Sequence, residues 1–340
     1  MIAARAAGFL FLTLALLRAQ PLVDFPTANR SLIEGRPQDF FMFVNRNFEG
    51  EKSKPWQGGQ FGFVRGPVRD SGQVLCLQFH EGIDIRPVSR DSRNNPSDLV
   101  KAAAAGRVIY VSQEAGASNY GKYVVIEHQW DGCPYYTLYA HLALISVNSD
   151  QFVRQGEILG LLGFTGAGID RERAHLHFEV CLMLSKNFAG WYETNFPRNP
   201  NRHGVYNGLN LAGIDPAELL LAAQKNPGLK IFQFLASKEA TFKLTVKNSP
   251  NFFLIQAYPW LVPEGEIANP PAWTIAFTRY GIPIKVEAAD TAVTEPIVTW
   301  VKQTDQPYSR ITKNFISGPP GSPRLTESGR RFANLLTWPD

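Results

Sequence analysis

Four of the six histidines of this chain sit in three short motifs whose side chains suit a metal ion. The first is His80-Glu81-Gly82-Ile83-Asp84, the second Tyr139-Ala140-His141-Leu142, the third His175-Leu176-His177-Phe178-Glu179. In an extended strand, residues two apart project from one face. His175 and His177 therefore point into one groove, while Leu176 and Phe178 point into a core. Two adjacent imidazoles serve poorly as packing, so a metal or a shared catalytic task explains them better. His80 and Asp84 are four residues apart, and Gly82 between them permits a sharp turn that brings both to one ion. Imidazole nitrogen and carboxylate oxygen are donors suited to Zn²⁺. Each motif alone is weak. Together, His80, Asp84 and one histidine of the 175/177 pair make the three-ligand plan of a catalytic zinc that keeps one position open for water. His141 and the other histidine of the pair remain beside it as non-ligands.

These motifs need a scaffold of strands. Short apolar runs alternate with glycine-rich turns through the middle of the chain. Strands are expected at Val108–Val111, Tyr123–His128, Tyr135–His141, Ile158–Phe164 and Leu176–Met183, with a turn at Asp131–Pro134 and a glycine-rich loop at Thr165–Gly168. Asp215–Gln224 reads as a helix, with Asp215 as N-cap, Pro216 in the first turn and Glu218 three residues after the cap. Thr241–Val246 and Trp273–Thr278 read as strands, and Thr326–Leu336 as a helix capped by Thr326.

The ordered set resembles the M23 family of zinc peptidases, the lysostaphin or LytM type, over roughly residues 61–183. Beyond the histidine motifs, the resemblance rests on Ala102–Gly106 before a strand, Tyr120–Ile126, Tyr136–His141, Gly156–Gly160 and Gly163–Gly166. It implies a mainly β fold: an antiparallel, sandwich-like catalytic domain with glycine-rich loops walling a groove, followed by a C-terminal α+β accessory region. It assigns one Zn²⁺ per chain to His80, Asp84 and His177, with His141 and His175 as the catalytic pair. The activity implied is hydrolysis of peptide cross-links in bacterial peptidoglycan, either glycyl–glycine or D-alanyl–diaminopimelate bonds. The alternative is a latent or non-catalytic LytM-like module that binds cell wall or regulates another wall hydrolase. In the latent case a side chain would replace the water on zinc, and Asn45 and Asn47 are candidates.

Glu179 shares the face of the two histidines, either orienting a ligand or standing as a solvated charge. Glu81 is placed as a general base would be, but the resemblance gives that work to histidine. His128, at a strand end, reads as structural, and His203, among Pro, Asn and Gly, as exposed. Where the family has a short turn, this chain carries the polar stretch 86–98, expected on the rim of the groove.

The rest of the chain bounds the reading. At 340 residues it exceeds one average domain. Residues 1–19 read as a signal peptide, with Arg5 before an apolar run at Gly8–Leu17 and Ala19 at the cleavage point. The run is too short for a spanning helix, and no cysteine follows Ala19 to take a lipid. An exported, monomeric protein of the periplasm or extracellular space is expected. Its division would be a lead-in at 20–60 that could cover the groove, a peptidase domain at 61–222 and an accessory region at 223–340. Loss of Arg5 and Arg18 leaves 32 of the 34 basic residues against 30 acidic ones, a net charge near +2. That is not the field of a nucleic-acid binder. Cys76, Cys133 and Cys181 lack ligand spacing and read as small buried side chains. Phe252, Phe253, Tyr258, Trp260 and Trp273 would suit sugar stacking but read as core.

Overall fold

The computed structural model describes residues 20–339 apart from 46, 71, 251 and 266–268; the signal-peptide reading falls outside them. In chain order the strands are β1 (Gly62–Asp70), β2 (Gln73–His80), β3 (Ile83–Ile85), β4 (Leu99–Lys101), β5 (Gly106–Ser112), β6 (Tyr123–Trp130), β7 (Cys133–Ala140), β8 (Leu142–Ile145), β9 (Phe152–Val153), β10 (Ile158–Leu162), β11 (Leu176–Met183) and β12 (Leu211–Ile214). A seven-stranded antiparallel sheet runs β12-β11-β7-β6-β5-β9, with β3 also paired to β11. A three-stranded sheet, β4-β10-β8, and the hairpin β1-β2 stand beside it. The fold is mainly β and antiparallel, as the resemblance implied.

The central strands are apolar on both faces because both faces are covered. Val124, Ile126, Tyr139, Phe178 and Val180 enter one core. Their alternates Tyr123, Val125, Leu138, Cys181 and Met183 enter a second. Strands β6 and β7 are joined by Asp131 and Gly132 alone, both at positive φ (50° and 79°). That is the two-residue geometry whose twist matches a hairpin. The turn is therefore tighter than the four residues expected, and Cys133 and Pro134 already belong to β7.

Helix Pro216–Lys225 follows β12, and Asp215 accepts from the amides of Ala217 and Glu218. The C-terminal region forms a four-stranded antiparallel sheet from Phe242–Lys247, Ala272–Phe277, Pro283–Ala289 and Ile297–Val301. Helix Glu327–Leu336 packs by it, its first turn capped by Thr326. Phe252, Phe253, Tyr258 and Trp273 are buried, which makes them core. This region also clasps the β1-β2 hairpin. Tyr280 packs its ring against Phe61 and Phe79 at 5.1 and 5.4 Å, and Arg310 pairs with Asp70.

The lead-in joins the core. Phe40, Phe41 and Met42 are buried, and the amides of Met42 and Arg86 bond the carbonyls of Asp84 and Phe40. Asn45 and Asn47 are exposed. Cys133 and Cys181 are buried free thiols, whereas Cys76 is half-buried on the two-stranded β1-β2 hairpin.

His128 is structural. Its Nδ1–H donates to the carbonyl of Ala105 at 2.8 Å, its Nε2 meets the Thr137 hydroxyl at 2.7 Å, and its ring stacks on Trp130. Burial lowers its pKa from 6.5 to about 4, against a smaller opposite effect of the Ala105 bond. The unfolded chain thus takes up this proton at higher pH than the folded one. Stability from this group is whole above pH 6.5 and falls by about 3 kcal/mol as the pH drops to about 4. Urea midpoints of the wild type and His128→Gln at pH 7 and pH 4.5 should show a smaller acid loss in the variant. Equal losses would remove His128 from the account.

Candidate metal centre

Three elements converge on one point. His80 ends β2, Asp84 is the middle residue of β3, and His177 is the second residue of β11. The register of β3 on β11 sets Asp84 directly opposite His177. Gly82 lets the two strands meet. A Cβ there would lie 2.4 Å from the Phe178 carbonyl oxygen, so the glycine is required for close approach of backbone rather than for an unusual dihedral.

His80 Nε2 lies 3.1 Å from His177 Nδ1 and 3.1 Å from Asp84 Oδ1, and His177 Nδ1 lies 3.0 Å from Asp84 Oδ1. Tetrahedral coordination with bonds of about 2.1 Å spaces its donors about 3.4 Å apart, a few tenths of an ångström wider than this triangle. The outer nitrogens are anchored. His80 Nδ1–H donates to the Gln60 carbonyl at 2.7 Å, and His177 Nε2–H donates to Glu179 at 2.8 Å. Each anchor leaves the inner nitrogen with a lone pair aimed at the centre. Two lone pairs and a carboxylate oxygen in mutual contact repel unless a cation or proton lies among them. The three residues fit a metal ion.

The electrostatics agree. Burial keeps His80 neutral, its pKa lowered. Burial opposes the charge on Asp84, but His175, His80 and His177 hold its carboxyl well below the usual range. Burial also opposes protonation of His177, and the bonds to Asp84 and Glu179 outweigh it, raising the pKa to about 9.

His175 and His141 lie beside the triangle. His175 Nδ1–H donates to the carbonyl of Arg173 at 2.7 Å, and its Nε2 is 3.3 Å from Asp84 Oδ1. His141 Nδ1–H donates to the carbonyl of Thr165 at 2.9 Å, and its ring centroid is 4.8 Å from that of His175. His141 sits between β7 and β8 at φ 65°, a costly conformation for a residue other than glycine. Burial, with His175 and His177 nearby, holds its pKa well below the ordinary value.

Glu179 is the orienting residue of the site. Besides His177 it accepts from the Tyr120 hydroxyl at 2.6 Å. Glu179→Gln removes the charge behind His177 and is expected to weaken metal binding about tenfold to hundredfold. Zinc titration against a competing chelator reads that loss; an unchanged affinity would reduce Glu179 to packing. Glu81 is held by Lys313 of the C-terminal region, 2.9 and 3.1 Å from its two oxygens. Its engagement argues against a role as base. His203 is half-buried and not exposed as expected, because Tyr123 bonds its Nδ1 at 2.8 Å and Tyr120 meets its ring edge-on.

Two clefts meet at the centre, sharing Asn119, Tyr120 and His177. One, of about 480 Å3, is lined by Glu81, Glu179, Arg202 and His203 among others. The other, of about 310 Å3, is lined by Arg65, His141, Ala167–Ile169, Arg173 and His175 among others. Stretch 86–98 lines neither: Arg90 props the groove loop from behind through the carbonyls of Arg171 and Glu172. Among the described residues of the lead-in, none lines either cleft. Arg65 was not expected. Its guanidinium pairs with Asp84 and lies 3.2 Å from His80 Nε2. Nothing in the local sequence singles it out, since only the hairpin's fold carries it to the ligands.

The family model for peptidase family M23 matches residues 78–187, so the resemblance holds at family level. The chain is 35% identical over 101 residues to the uncharacterized lipoprotein YgeR of Escherichia coli (strain K12), covering 30% of this chain and 34% of that protein. It is 36% identical over 131 residues to an uncharacterized metalloprotease of Haemophilus influenzae, covering 35% of this chain and 24% of that one. The chain thus spans about a third of the length of one of these relatives and about a quarter of the other. Among solved structures, the catalytic domain of the antimicrobial peptidase lysostaphin from Staphylococcus simulans is 25% identical, with a TM-score of 0.26, covering 38% of this chain and 86% of that one.

Proposed function

We propose that this chain, which carries a peptidase family M23 segment at residues 78–187, is an exported zinc endopeptidase that hydrolyses peptide cross-links of peptidoglycan. The observation that carries the reading is the triangle of His80, Asp84 and His177 with two further imidazoles at its side. A zinc ion held there would polarise a carbonyl and lower the pKa of a water to about 7.

The protein's own groups then divide the proton work. The Nδ1–H of His141 is tied to Thr165, so its Nε2 bears the lone pair, and burial keeps the ring neutral. His141 accepts the proton from the attacking water. His175 presents its Nε2 3.3 Å from Asp84 Oδ1, beside the metal-facing triangle, and takes the role of passing a proton to the leaving amine. Asp84, opposite His177 in the register, anchors the metal. The half-buried clefts admit a thin peptide and limit water. The division into lead-in 20–60, peptidase domain 61–222 and accessory region 223–340 belongs to the same proposal.

The direct test measures zinc per chain and soluble fragments released from purified peptidoglycan. One equivalent of zinc with release supports the hydrolase. Zinc without release would favour the latent or regulatory alternative, and absence of zinc binding would overturn the reading.

A further inference from the structure

The two ends of the groove differ in unsatisfied charge. At the end with Glu81 and Glu179, both carboxylates are engaged, Glu81 by Lys313 and Glu179 by His177 and Tyr120. At the end with the catalytic histidines, Asp84 is the one carboxylate of the lining, and it faces three imidazoles and Arg65. Two guanidiniums line that end, Arg65 and Arg173.

Both have donors to spare. Arg65 spends its Nε–H on the Gly58 carbonyl and its Nη2 on Asp84. Among the described residues, its Nη1 has no acceptor. Arg173 makes one long bond, 3.4 Å from Nε to the Phe43 carbonyl. No carboxylate of the described residues pairs with it. An arginine on open surface needs no partner, but the Arg65 side chain is only 31% exposed. Two guanidiniums walling one cleft repel, and an anion between them relieves that repulsion. A guanidinium offers paired N–H groups in the fork geometry that a carboxylate accepts.

We propose that this end of the groove binds a free carboxylate of the substrate, through Arg173 and the Nη1 of Arg65. The preferred substrates are then peptides bearing a carboxylate next to the scissile bond. The carboxylate is either the chain terminus or an acidic side chain. The proposal rests on the hydrolytic reading for its meaning, but not for its test.

The test is calorimetric binding to the full chain, with and without zinc. Three probes are used: N-acetyl-triglycine, its C-terminal amide, and N-acetyl-glycyl-glutamate with its α-carboxyl blocked as the amide. At least one acid should bind about tenfold or more tightly than the neutral amide, the range for hydrogen bonds to charged groups. Whichever acid is preferred identifies the source of the carboxylate. In Arg173→Gln that preference should collapse towards one, and Arg173→Lys, which keeps the charge without the fork, should retain part of it. Equal binding of all three probes by the wild type overturns the proposal. So does a preference that survives Arg173→Gln, because the carboxylate would then be held by the metal or another group. Failure of the functional reading looks different: no fragment release from peptidoglycan, with the acid preference and its arginine dependence intact.

Discussion

On the proposed reading, His177→Ala is expected to lose its zinc and to release no peptidoglycan fragments. The side chain supplies one of three protein donors, and its Nδ1 is 3.0 Å from Asp84 and 3.1 Å from His80. Structural zinc sites bind with about 10–16 kcal/mol spread over four ligands. One ligand is therefore worth roughly 3 kcal/mol, or about two to three orders of magnitude in affinity. The change also strands Glu179, which is fully buried and depends on His177 and Tyr120 for its charge. Part of the loss is then structural. Zinc analysis after dialysis against a weak chelator, alongside thermal melting of the same sample, separates the two contributions. A variant that keeps a full equivalent of zinc would move the metal away from this triangle.

The second large effect takes the opposite form. On the proposed reading, His141→Ala is expected to keep its zinc and to lose turnover by about 10²–10⁴, the range for a positioned general base. Its Nδ1 is committed to the Thr165 carbonyl, and it is not one of the three side chains that meet at the candidate metal position. Loss of zinc from this variant would show that the roles of the four histidines are misassigned. Thermal stability should fall, because the substitution removes a buried, hydrogen-bonded side chain and leaves alanine at φ 65°, a dihedral it also disfavours. The discriminating readout is therefore the pair of zinc content and single-turnover rate.

Much of the site was legible in the sequence because its residues lie in short-range patterns. The period of two in β11 puts His175, His177 and Glu179 on one face, and that holds wherever a strand forms. Capping at Asp215 and Thr326 was legible for the same reason: the bond runs from a side chain to an amide two or three residues on. The close approach at Gly82 was half legible. Its need for glycine could be read, but the cause is the Phe178 carbonyl, which lies far along the chain.

Other features are set by contacts between distant segments. Glu179 had two equal readings until Tyr120 and His177 were brought to it. His203 gained a partner in Tyr123 and lost its exposure. The backbone of the lead-in pairs with β3, since Phe40, Phe41 and Met42 must be buried somewhere. Lys313 reaches Glu81 from 232 residues away.

From local chemistry and periodicity alone the sequence yields the candidate donors, with His175 and His177 left as alternatives until the resemblance chooses between them, and most of the strands that bear them. Only the tertiary structure decided which polar groups neighbour that set. The charge of Arg65 beside Asp84, the anchor of His80 on Gln60 and the placing of Arg173 in the groove depend on how a hairpin, a lead-in and a loop pack together. Electrostatic energy depends on distance through space, and separation along the chain does not reveal it.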